Sequence, residues 1–304
     1  MTSPLPLVVR GRPLDLARPA LMGIVNATPD SFSDGGERRT VAERVALGVE
    51  QRAQGALIVD VGGQSGITGV PEVPVDEEIA RVVPVVAGLH EAAPDLVISV
   101  DTYRPAVVEA VLAAGASIVN DVSGLLHPEV AGLVAGAGAG LVIMHTRSRP
   151  KHKVLDDALY TAAGGVTADV VAFLGQRLDA AVAAGVPVEA TILDPGPDFA
   201  KTPAQTVEVL RDLDELRALG RPLLLALSRK DFIGAITGRP PRSRLGGTLA
   251  AVGHVLGWPG AILRVHDVDV VADYLAVADV LAGRTDLPPD ARLSDDLRRQ
   301  RPPA

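Results

Sequence analysis

The stretch Leu96-Val-Ile-Ser-Val-Asp101-Thr-Tyr-Arg-Pro105-Ala-Val-Val-Glu-Ala-Val-Leu-Ala-Ala-Gly115-Ala-Ser-Ile-Val-Asn120-Asp121 holds one full turn of the repeat from which the chain is built. A short apolar run, Leu96–Asp101, ends in a carboxylate. Pro105 then opens a run of Ala, Val and Leu with helical spacing, Pro105–Ala114, where its missing N–H is no loss in a first turn. After Gly115 a second apolar run, Ser117–Asn120, again ends in polar side chains. Strand, helix and strand in this order read as a parallel pair joined by a helical crossover.

The same unit recurs in both directions. Further strands are expected near Ala20–Asn26, Ala56–Val61, Gly140–His145, Thr191–Asp194, Pro222–Leu227 and Ala261–Val265. Helices are expected near Thr40–Gln54, Asp76–Glu91, Pro128–Ala137, Thr167–Ala184, Pro203–Leu219, Pro241–Leu256 and Val268–Ala282. About eight such units in 304 residues fit a single α/β domain closed as a (β/α)8 TIM barrel. An open doubly wound sheet would show fewer units and a Gly-rich first turn. No linker splits the chain, so the expected organisation is an N-terminal segment 1–19, a barrel domain 20–284 and a polar tail 285–304.

Composition narrows the class. With 47% hydrophobic residues the chain can bury a large core, and with no cysteine it forms neither a disulfide nor a thiolate metal site. A formal net charge of -8 argues against a nucleic-acid partner, because phosphate affinity rests on an excess of Lys and Arg. The opening Met1-Thr-Ser-Pro-Leu-Pro-Leu lacks the basic and apolar regions of a signal peptide. No uncharged run approaches the roughly 20 residues of a membrane span. The expected location is the cytoplasm, with no membrane partner.

In a barrel of this kind chemistry sits at the carboxyl ends of the strands. Here those ends read Asn26-Ala-Thr, Asp60-Val-Gly-Gly-Gln64, Asp101-Thr-Tyr, Asn120-Asp-Val-Ser, Met144-His-Thr-Arg, Asp194-Pro-Gly, Ser228-Arg-Lys and Arg264-Val-His-Asp. Any one Asp, Asn or Ser is equally well explained as the cap of the following helix. Caps do not account for Lys230, Arg264 and His266 after the last two runs, which make a focused anion site in a chain of net negative charge. Buried Asp101 and Asp194 require donors, since a carboxylate out of water is costly unless it is hydrogen-bonded. A nitrogen heterocycle carrying phosphate meets both demands, and several such ligands fit. By contrast Asp198, Asp231 and Asp267 are assigned no chemistry, and His145 is read as a satisfied core histidine. Met144 packs, and Arg147, Arg149 and Lys151 form a solvated loop from which Arg147 could reach an anion.

Six ordered motifs carry a resemblance. They are Gly23-Ile-Val-Asn-Ala-Thr-Pro-Asp-Ser-Phe-Ser-Asp-Gly-Gly36, Ser99-Val-Asp-Thr-Tyr103, Ile118-Val-Asn-Asp-Val-Ser-Gly124, Asp194-Pro-Gly196 with Phe199-Ala-Lys-Thr-Pro203, Ser228-Arg-Lys230, and Arg264-Val-His-Asp-Val268. Together they cover roughly residues 20–280, and the chain resembles the dihydropteroate synthase family. The resemblance implies that 6-hydroxymethyl-7,8-dihydropterin diphosphate condenses with 4-aminobenzoate, releasing diphosphate, in folate biosynthesis. It implies that Asp101, Asn120, Asp194 and Lys230 hold the pterin ring, and that Arg264 and His266 bind the diphosphate. Asn26 is implied as a ligand of Mg²⁺, with Arg264, His266 and Lys230 as catalytic groups and a homodimer as the assembly.

One loop departs from the family pattern. Where the family usually reads Gly-Gly-Glu-Ser-Thr-Arg-Pro-Gly, this chain reads Gly62-Gly-Gln-Ser-Gly-Ile-Thr-Gly69. The implied contacts of that Thr and Arg with the diphosphate and the aminobenzoate are absent at Gly66 and Ile67. Three alternatives follow: a synthase whose loop, Gln64 to Thr68, meets the acceptor differently, a paralogue for another aryl amine, or a non-catalytic pterin-binding protein. Retained Asn26, Arg264 and His266 favour catalysis, because a ring binder has no use for a diphosphate site.

Overall fold

Each of the eight apolar runs is a strand, and the runs pair in sequence order. The computed structural model describes residues 6–28, 40–64, 69–258, 260–294 and 297–298. An N-terminal hairpin, β1 (Leu7–Val9) and β2 (Arg12–Leu14), precedes the barrel strands β3 (Ala20–Asn26), β4 (Ala56–Gly62), β5 (Val97–Asp101), β6 (Ile118–Asp121), β7 (Gly140–Met144), β8 (Thr191–Asp194), β9 (Leu223–Leu225) and β10 (Ala261–Val265). Every barrel pairing is parallel, and β10 returns to β3 to close the ring.

The crossovers are α1 (Val41–Ala53), α2 (Val75–Ala92), α3 (Pro105–Ala113), α4 (Glu129–Gly136), α5 (Val166–Ala183), α6 (Pro203–Arg211), α7 (Asp231–Thr237), α8 (Leu245–Val255) and α9 (Val268–Leu281). Local chemistry sets their starts. Thr40 and Thr202 each close a capping box, with Glu43 and Gln205 respectively, satisfying N–H groups that the helix itself leaves unpaired. Four elements differ from expectation. The run Pro203–Leu219 is divided at Asp212 into α6 and a 3₁₀ segment, Leu213–Leu219, that ends on Gly220 in the left-handed region. The run from Pro241 begins as a 3₁₀ turn, Pro241–Ser243, and becomes α-helical only at Leu245. The short α7 and the hairpin β1–β2 were not expected at all.

Alternation along the strands builds the barrel in layers, because successive side chains point to opposite faces. Val25, Val59, Val61, Ile98 and Val100 face outward and pack against residues of α1, α2 and α3. Met22, Ile58, Val97, Ile118, Val142, Ile192, Leu224 and Ile262 face inward and form one cluster with Leu7, Val9, Leu14 and Leu16. The hairpin therefore seals the amino end of the barrel. Arg221 ties its start down by donating to Pro6 O at 2.7 Å, and Arg10 donates to Ala116 O and Leu112 O. Each buried aliphatic side chain of the hairpin contributes roughly 1.5–3 kcal/mol, enough to order two three-residue strands.

Two residues further along each strand, the inward positions are Ile24, Asp60, Ser99, Asn120, Met144, Asp194, Ala226 and Arg264. Five of these eight are polar, so an apolar plug gives way within one step of the pleat to a hydrogen-bonding floor.

Candidate active site

Above that floor a cavity of about 780 Å³ opens at the carboxyl end of the barrel. All seven residues selected from the sequence line it: Asn26, Asp101, Asn120, Asp194, Lys230, Arg264 and His266. Ile24, Val122, Met144, Phe199 and Ala226 supply apolar wall, so a flat ring can be held on its faces as well as its edges.

The polar groups divide into two edges. On β5, β6 and β8 stand acceptors: Asp101, the buried Asn120 Oδ1, which has no protein hydrogen-bond partner, and Asp194, whose Oδ1 accepts from Gly196 N at 2.7 Å. Burial pushes the Asp101 carboxyl up to about 7 against the opposing charge of Arg264. It likewise pushes Asp194 up to about 6 against the Gly196 N–H and Lys230. On the β9–β10 side stand Lys230, Arg264 and His266. Lys230 Nζ donates to Pro197 O at 3.0 Å and lies 4.5 Å from the centre of the Phe199 ring. His266 Nδ1 is 3.0 Å from Ser228 Oγ.

Asp60 organises the floor, and sequence reasoning gave it no role. Its carboxylate is wholly buried and accepts from Ser99 Oγ at 2.6 Å, Asn120 Nδ2 at 3.1 Å and Arg264 Nε at 2.7 Å. Arg264 Nη2 also reaches Asp101 at 3.3 Å. By engaging the amide nitrogen of Asn120, Asp60 leaves the amide oxygen for the cavity. The available signal was its parity with Ile58 on an inward-facing strand.

The acids left without chemistry are ties between loops. Asp267 pairs with Arg229 at 2.7 Å, Asp231 pairs with Arg244 at 3.0 Å, and Asp198 accepts from the N–H of Asp231 at the start of α7. Arg244 also donates to the carbonyls of Arg229 and Lys230, which fixes the segment bearing Lys230. His145 is fully buried with both ring nitrogens hydrogen-bonded, as expected of a core histidine. Arg147 forms a two-point pair with Asp169 rather than facing the cavity. A side cavity of about 80 Å³, which shares Gln64, Asp101, Val122 and Phe199 with the main one, is walled in part by Arg149, Lys151 and His152. Gln64 donates to Glu78 at 2.8 Å. Residues 65–68 of the departing loop, and 29–36 of the first motif, lie outside the described residues.

Backbone strain gathers at the same end. Among the described residues, Leu125, Lys151, Asp198, Ala200 and Arg229 adopt φ of 59°, 65°, 66°, 51° and 61°, and all five lie in loops that follow barrel strands. At Gly196, φ is 65° and an added Cβ would stand 2.1 Å from His145 O, so only glycine lets this loop pass over β7.

A closed parallel barrel whose mouth offers acceptors on one edge and basic groups on the other has the architecture of a barrel enzyme with its site at the carboxyl ends of the strands. Residues 22–266 match the model of the pterin binding enzyme family, and the chain belongs to that family. It is 40% identical over 266 residues to the dihydropteroate synthase of Synechocystis sp., covering 87% of this chain and 90% of that one. The solved structure of Xanthomonas albilineans dihydropteroate synthase with 4-aminobenzoic acid superposes with a TM-score of 0.82 at 40% identity, over 94% of this chain and 100% of that one. The same enzyme in complex with 7,8-dihydropteroate gives a TM-score of 0.79 at 40% identity, over 93% and 100%.

Proposed function

We propose that this chain is a dihydropteroate synthase, a transferase that joins 6-hydroxymethyl-7,8-dihydropterin diphosphate to 4-aminobenzoate and releases diphosphate. The observation that carries the proposal is the placement of an acceptor edge and a cation edge on one flat cavity. Asp101, Asn120 and Asp194 accept from the ring N–H and amino groups, while Lys230 donates to a ring acceptor and covers one face with Phe199. Arg264 and His266 bind the diphosphate end. As the bond from the methylene carbon to the diphosphate oxygen breaks, the charge of Arg264 and a hydrogen bond from His266 stabilise the leaving anion. The amine lone pair forms the new C–N bond, and a proton leaves that nitrogen to water.

Asn26 is the proposed protein ligand of Mg²⁺. Its amide on the cavity wall suits a hard ion that brings most of its oxygen ligands as phosphate and water. Bound there, Mg²⁺ would add to the neutralisation of the diphosphate. A cytoplasmic homodimer is part of the same proposal, supported by family membership. No helix among the described residues is long and apolar enough to cross a membrane.

The direct experiment mixes the protein with the dihydropterin diphosphate, Mg²⁺ and 4-aminobenzoate and follows products by mass spectrometry. Dihydropteroate and diphosphate are expected in equal amounts. Tight pterin binding with no product from this or any other aryl amine would make the protein a binder.

A pH dependence follows from the acceptor edge. Ring N–H groups need ionised partners, so below about 7 for Asp101 and about 6 for Asp194 a proton competes with the ring. The affinity for a pterin lacking diphosphate is expected to rise with pH between 5.5 and 7.5, and protons are released on binding. The stability of the free protein moves the other way. With folded values above the unfolded ones, the native state holds more protons than the unfolded state from about 4 to about 7, and these two groups destabilise it as pH rises through that window. Calorimetry in buffers of different ionisation enthalpy checks the first statement, and a pH-flat affinity without proton release would contradict it.

A further inference from the structure

Lys201 is an unusual residue to find where it lies. Its side chain is 1% exposed, and no carboxylate is among the hydrogen-bond partners of its ammonium. Nζ is instead held by Gly196 O at 3.0 Å, Phe199 O at 3.2 Å and His145 Nδ1 at 2.7 Å. Against the burial of Asp169, hydrogen bonds from His145 and Arg147 hold it ionised, and a carboxylate only accepts, so His145 carries its proton on Nε2 and receives from Lys201 at Nδ1. That proton is given to Asp169 Oδ2 at 2.9 Å, and Arg147 closes the chain by donating to both oxygens of Asp169 at 2.8 and 2.6 Å. Lys201, His145, Asp169 and Arg147 thus form a continuous line of alternating donors and acceptors. It runs from beneath the cavity to an arginine that is 41% exposed.

Two carbonyls in this set belong to the segment Asp194–Thr202, which carries Asp194 at one end and Phe199 near the other. That segment holds Asp198 and Ala200 in the left-handed region, a conformation that is unfavourable for a non-glycine residue and persists only where neighbours enforce it. Tyr160, Lys230 and Thr206 each tie one backbone group of the segment, at Ala200 O, Pro197 O and Asp198 N, whereas Lys201 draws two of its carbonyls together from within. We propose that Lys201 is a positioning residue for ring recognition, clamping the strained loop so that Asp194 and Phe199 face the pterin together, with His145, Asp169 and Arg147 fixing the clamp. This rests on the assignment of the acceptor edge to the ring.

Lys201→Met keeps the stem and removes all three donors. Calorimetry with 6-hydroxymethylpterin should show ring affinity lowered about thirtyfold or more, while affinity for inorganic diphosphate with Mg²⁺ changes less than threefold. Hydrogen exchange separates clamping from general weakening. In the ligand-free variant, amides of residues 195–202 should exchange at least tenfold faster than in the parent, with those of β3 to β6 unchanged. Asp169→Asn, which touches no atom of the segment, serves if the first variant does not fold. It should produce the same localised exchange to a smaller degree, about threefold. Equal losses of ring and diphosphate affinity, or faster exchange throughout the barrel, would overturn the inference. A parent that binds no pterin would instead remove the ring assignment, and the exchange comparison would still decide whether Lys201 clamps the loop.

Discussion

Arg264→Ala should lower kcat about 100-fold to 1,000-fold while weakening a pterin without diphosphate far less, about tenfold at most. Loss of one positioned donor to charge that develops in the transition state costs about 3–4 kcal/mol, which is that range in rate. The ground-state ring feels the change only through Asp101, whose ionised form Arg264 favours, so ring affinity should fall much less than turnover. A second effect is structural. Arg264 Nε is the cation that meets the fully buried Asp60, and removing one member of such a pair strands the other at a cost of about 3–5 kcal/mol. The variant should therefore unfold at lower urea as well. Arg264→Lys, which keeps the charge but not the fork that spans Asp60 and Asp101, should recover stability more than rate. Steady-state kinetics with urea titrations of both variants test this. Equal loss of ring affinity and turnover would make Arg264 a scaffold residue only.

Asp60→Asn should cost nearly as much turnover, about 100-fold, although Asp60 does not line the cavity. The substitution retains shape, but it removes the charge that holds Arg264 and offers Asn120 an ambiguous partner, so the Asn120 amide can turn its nitrogen toward the ring. Both edges are then misaligned by one change. If Asp60 acts through Arg264, the double variant with Arg264→Ala should be hardly worse than the Arg264 variant alone, because residues that act as a unit are not additive. Multiplying losses in that cycle would show that the two work independently. Asp60→Asn should also weaken the pterin, about tenfold, through the freed amide of Asn120.

The barrel was legible because its strands are buried on both faces and stop abruptly at polar residues, so apolar run length and its endpoint coincide. Asp101, Asn120, Asp194 and Arg264 were found by that endpoint rule, and His266 and Lys230 by the concentration of positive charge after the last two strands. Asp60 fell in the same pattern, but its importance lies in three partners that come from three other strands, and such pairing exists only once the barrel closes. The same holds for Lys201 and Asp169, which meet through His145 from 56 and 24 positions away. The hairpin escaped notice because two three-residue strands, one containing Pro13, give no periodic signal of their own. Arg147 was read as free to reach an anion since nothing local announces Asp169 as its partner.

The sealed amino end bears on how a protein like this one can change over evolutionary time. With the interior closed from below by the hairpin, the layer at Met22, Ile58 and Ile262 holds the ring of strands together without help from the loops above. Substitutions in the loops above the polar floor are then tested more by selection for chemistry than by selection for folding. A lineage can rewrite four of the five residues from 64 to 68 after β4 and pass through intermediates that still fold. Specificity in such a barrel drifts more easily than architecture does.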